Sequence, residues 1–153
     1  MSGEIDRIVR MLEKTFKKQP WYGPSVNEVL SQIDQSTIDK HSGAAHSILE
    51  LVLHMTAWRT FTIKRLEGDD EYDVPDELNF PRQGSWEDAI QSLKTSQTAL
   101  VAAIKKFPKH RLGELVPSKV HKYTYYSLLH GIIQHDVYHL GQIAVLKKAF
   151  EKS

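Results

Sequence analysis

Leu128-Leu129-His130-Gly131-Ile132-Ile133-Gln134-His135-Asp136-Val137-Tyr138-His139-Leu140-Gly141-Gln142-Ile143 is the stretch whose reading decides the fold. It reads as an amphipathic helix, and at about 100° per residue His135 and His139 fall within about 40° of each other, with Gln142 alongside. Leu128, Ile132 and Leu146 share that stripe, so the spacing turns both imidazoles toward a helical core. Gly131, one turn before His135, leaves space at the same height. Two imidazoles on one helix face bind one metal ion when a third ligand arrives from another element.

The helix around this stretch is expected from about Thr124 to Phe150, with Lys147 and Lys148 in its last turns. Working outward, a helix from Trp86 to Phe107 precedes it, opened by Ser85 and ended by Pro108. Before that, Ser47-Ile48-Leu49-Glu50 has the S-x-x-E pattern of a capping box, and the helix it opens runs to Leu66 and stops at Gly68. At the start of the chain Ile5, Ile8, Val9, Leu12 and Phe16 mark a helix over about Glu4–Lys18. A short helix from Ser25 to about Ile33 follows, capped by Ser25 and Glu28. Segments 36–46, 69–84 and 113–123 read as connections, the second of them long and rich in turn formers. All six prolines fall outside the helices and no segment alternates as a strand. The expected fold is all-α: a single domain of four long helices packed as a bundle, with long connections between the second and third and between the third and fourth.

The helix that starts at Ser47 supplies the third histidine. Ser47, Glu50, His54, Trp58 and Phe61 share one face, so His54 also points inward among apolar neighbours. Three inward histidines from two helices would leave coordination positions open, which is the catalytic rather than the structural arrangement. The bland alternative is that they are hydrogen-bonded core histidines. Eight histidines in 153 residues produce roughly 0.4 H-x-x-x-H pairs by chance, so the pair alone carries little weight. The remaining histidines read otherwise: His41, His110 and His121 as solvated loop residues, His130 as facing away from His135, and His46 as a loop or capping residue near the site mouth. Asp136 stands where the zincin signature H-E-x-x-H requires Glu, which argues against protease chemistry. A di-iron bundle needs two Glu-x-x-His pairs, and only Asp136-x-x-His139 comes near one.

Composition narrows the classes further. Formal charge is +1 without a basic block, so nucleic acid is not an expected partner. Cysteine is absent, which removes disulfides, zinc–thiolate sites and a cysteine nucleophile together. No apolar run approaches the roughly 20 residues of a membrane span, and the N-terminal residues lack a signal-peptide apolar region. A soluble cytoplasmic protein acting on a small molecule is the expectation.

The segments His46 to Arg59, Asn79-Phe80-Pro81 and His135 to Ile143 resemble the DinB/YfiT-like superfamily. The resemblance follows nearly the whole chain, and its most specific parts are the His-x-x-x-Trp at His54 and the H-x-x-x-H-x-G-Q at His135. It implies a four-helix bundle, often dimeric, in which His54, His135 and His139 hold a divalent metal, usually nickel or zinc. Three neutral imidazoles accept several first-row metals, so the residues do not select the ion. Related branches include thiol S-transferases that use bacillithiol and a mycothiol-dependent isomerase. The first functional expectation is therefore a metal-dependent transferase of low-molecular-weight thiols, with Gln142 orienting a ligand, Trp58 walling the pocket and Glu50 as a candidate base or a capping residue. A metal-dependent hydrolase and a non-catalytic metal-binding or ligand-binding module of a stress response are the alternatives.

Overall fold

The computed structural model describes residues 3–151 and contains six α-helices. Four are long: α1 (Glu4–Lys17), α3 (Ile48–Glu67), α5 (Trp86–Lys106) and α6 (Tyr125–Glu151). Two are short, α2 (Val26–Leu30) and α4 (Asp76–Asn79), and single 3-10 turns sit at Gln35–Thr37 and Lys109–Arg111. α3 packs on α5 and α6, and α1 packs on the same two, so α1 and α3 occupy opposite corners of a four-helix bundle.

Helix ends follow the local chemistry. Ser47 accepts from the Glu50 backbone N–H while the Glu50 carboxylate accepts from the Ser47 N–H, closing the capping box of α3. Gly68 ends that helix at φ 91°, in the left-handed region that glycine enters without steric cost. Ser25 with Glu28 caps α2 in the same way as Ser47 with Glu50. Three expectations are corrected. α2 stops at Leu30 rather than near Ile33. The connection after α3 contains the one-turn helix α4, begun at Pro75. The 113–123 connection is tied down by an isolated antiparallel bridge between Leu115 and Thr124.

The apolar interior divides into two clusters. One gathers Phe16, Leu51, Met55, Leu93, Leu140 and Ile143; the other gathers Ile8, Leu12, Leu100, Ile104, Leu129 and Ile132. At the level between them lies a buried polar layer. Arg59 and Asp136, both fully buried, form two hydrogen bonds of 2.8 and 2.5 Å, and Arg59 Nε donates to Gln97 Oε1. This pairing fixes the register of α3 against α6 next to His135. None of the helices, searched over the described residues, is long and apolar enough to cross a membrane.

Candidate metal centre

His54 from α3 and His135 and His139 from α6 meet at one point, each offering a ligand nitrogen. His54 Nε2 lies 3.0 Å from His135 Nε2, which lies 3.1 Å from His139 Nε2. The other ring nitrogens explain which way the lone pairs point. His54 Nδ1 is 2.6 Å from the carbonyl oxygen of Asn79, an acceptor only, so Nδ1 carries the proton and Nε2 is left as a lone pair. His139 Nδ1 donates to Gln142 Oε1 at 2.6 Å with the same result. Two lone pairs therefore face His135 Nε2, and a single proton there can satisfy only one of them. A divalent cation accepts all three. Two nitrogens about 2.0–2.1 Å from one ion, at right to tetrahedral angles, lie roughly 2.9–3.4 Å apart; the two separations that include His135 fall in that span, and the three ligand atoms all lie within 4.8 Å of one another.

Electrostatics favour neutral rings. Burial lowers His54 to about 4, against the opposing effect of its bond to Asn79, and lowers His135 to about 3, helped by the neighbouring His139 and His54. Burial also lowers His139. Metal ligation requires this unprotonated form. Burial pushes the Asp136 carboxyl up to about 6, and Arg59 limits the rise.

The supporting shell comes largely from the connection between α3 and α5. The Phe80 ring stacks on His54 with centroids 3.9 Å apart, and His46 stacks on Phe80 at 3.6 Å. Asn79 holds two site residues at once, because its side-chain oxygen also accepts from Trp58 Nε1 at 3.1 Å. Trp58 and His135 both border a cavity of about 730 Å³, which Gly131 and Ile132 also line. The volume suits a small-molecule ligand.

Glu50 is not part of the three-histidine group. Besides the capping box, its carboxylate meets His41 Nε2 at 2.9 Å and Arg82 Nε at 3.2 Å. Burial would raise its pKa, but the Ser47 N–H bond and the two nearby histidines, His41 and His46, hold it below the usual carboxylate range. A carboxylate so occupied is a poor base. His41 is thus engaged rather than simply solvated, and His130 contacts Tyr126, away from the three ligands. Residue spacing gave neither the Asn79 carbonyl nor the His46–Phe80–His54 stack; their signals were the Asn79-Phe80-Pro81 segment of the resemblance and the place of His46 near the site mouth.

Comparison with known proteins agrees with this architecture. A family model described as the DinB superfamily matches residues 24–143. The chain belongs to the DinB superfamily. It is similar to a crystal structure of a DinB-like protein from Bacillus subtilis, with a TM-score of 0.69 and 19% identity over 95% of this chain and 92% of that one. Identity that low shows a shared fold. Curated proteins yield no match. Within this DinB-superfamily chain, the three histidines form a group that could hold a metal ion.

Proposed function

We propose that this DinB-superfamily protein is a metal-dependent enzyme of the thiol S-transferase type, with nickel or zinc held by His54, His135 and His139. The observation that carries the reading is the double position of His135, whose Nε2 belongs to the ligand group while its ring borders the 730 Å³ cavity. When bound, the ion supplies Lewis acidity that lowers the pKa of a thiol beside it. The chain does the rest. Asn79 and Gln142 fix the tautomers of His54 and His139, Trp58 and Ile132 keep one wall of the cavity apolar, and the open side admits an electrophile. The reading includes a homodimer in solution, which sedimentation at micromolar concentration tests.

The central experiment is elemental analysis of untagged wild type and His135→Ala, followed by assays of thiol–acceptor pairs and of ester hydrolysis on metal-loaded protein. One ion per chain, lost in the variant while the helical circular dichroism persists, with turnover of a thiol–acceptor pair, supports the proposal. Turnover of esters alone transfers the site to hydrolysis. Wild type that takes up neither nickel nor zinc refutes both.

A further inference from the structure

Three turns along α3 from His54, Arg65 lines the same cavity. It is 7% exposed, yet among the described residues no carboxylate lies within ion-pair distance of its guanidinium. Arg59, on the same helix and fully buried, shows the usual remedy, a paired contact with Asp136. A buried cation without a counter-charge is costly, and Arg cannot shed its proton. Part of Arg65 is accounted for: Nη1 donates to the Asp69 carbonyl at 2.8 Å beyond the helix end, and the Phe61 ring lies 4.5 Å from Cζ. These leave the Nε side of the fork. Nε is buried with no hydrogen-bond partner, so the Nε–Nη2 edge, which takes a carboxylate through two parallel bonds, meets a cavity ligand once the guanidinium turns toward it.

We propose that Arg65 anchors the carboxylate of the substrate, which is an amphipathic monocarboxylate lying along Trp58, Phe61 and Ile132. The wall between the two ends is apolar, and the seven residues from Trp58 to Arg65 span about 10 Å of helix. Along the cavity lining the carboxylates Asp70, Glu71 and Asp73 outnumber the cations Arg65 and Lys119, which weighs more heavily against a multiply charged anion such as phosphate than against a single carboxylate. This deepens the reading of the cavity as the substrate site beside the three histidines and rests on it.

The test is calorimetric binding of 5-phenylpentanoate, its primary amide and inorganic phosphate, on metal-loaded and metal-stripped protein. The acid is expected to bind at least tenfold more tightly than the amide in both forms, with phosphate weaker than either. Arg65→Met should erase the preference without altering metal content or circular dichroism, and Arg65→Lys should retain part of it. Equal affinity of acid and amide, no binding of either, or tighter phosphate binding overturns the proposal in wild type alone, whatever the variants do. A preference that survives in Arg65→Met places the carboxylate elsewhere and overturns it too. Failure to take up metal would sink the enzyme reading, whereas an Arg65-dependent preference in the metal-stripped protein would still stand.

Discussion

His139 offers a lone pair at Nε2 because its proton is engaged at Nδ1, where Gln142, nearly one helical turn on, brings an amide oxygen within 2.6 Å. Removing that acceptor frees the ring to rotate and to change tautomer. Gln142→Ala is expected to weaken metal binding about 10–100-fold, read by competition with a chelator. Gln142 is exposed, so fold stability should hardly move. The rings also set a response to acid. His54 and His135 titrate near 4 and 3 in the folded chain against 6.5 when unfolded. Between those values the unfolded chain binds protons that the folded chain refuses, so metal-free protein loses stability as pH falls below 6.5 toward 4, and these groups change nothing above that window. Asp136, raised to about 6, works in the opposite sense below that pH and offsets part of the loss, so thermal melts between about pH 7 and about pH 4.5 should show a net descent from the two histidines, flattened in His135→Gln. A flat wild-type profile would contradict buried neutral rings.

At the scale of elements, the Arg59–Asp136 contact joins α3 to α6 one residue from His135. Asp136→Ala leaves a guanidinium buried and unpaired, at an expected cost of about 3–5 kcal/mol, measurable by urea denaturation. Replacing both partners by apolar residues should cost less. A small effect of the single change would mean that water reaches Arg59. The long helices were legible because each rule behind them is local: Ser47 with Glu50, Ser85 before α5, Gly68 after α3 and Pro108 after α5 all act within one turn. The one-turn α4 and the two 3-10 turns were not, since elements this short have no apolar period and take their shape from what they pack against. The site divides the same way. His135 and His139 share a face by spacing, and His54 declared its inward direction through its own helix. The Asn79 acceptor is a backbone carbonyl, which any residue type supplies, so helical spacing does not mark it and only the Asn79-Phe80-Pro81 segment of the resemblance pointed there.

For the molecule as a whole, a ligand that binds only the folded state raises its melting temperature in proportion to the logarithm of concentration over Kd. Adding a divalent ion at a hundredfold excess over Kd should therefore contribute about 2.7 kcal/mol. A chelator should reverse the rise in wild type and do nothing to the His135→Ala melt. The ligand positions carry one more consequence. His54 and His135 lie 81 residues apart in the chain, so an ion between them closes a loop covering more than half of it. In a chain-entropy treatment a permanent bridge of that span restricts the denatured ensemble by about 4.5 kcal/mol. This chain has no cysteine with which to build such a bridge. A tightly held ion would be its removable staple, indifferent to reductants and opened by chelation.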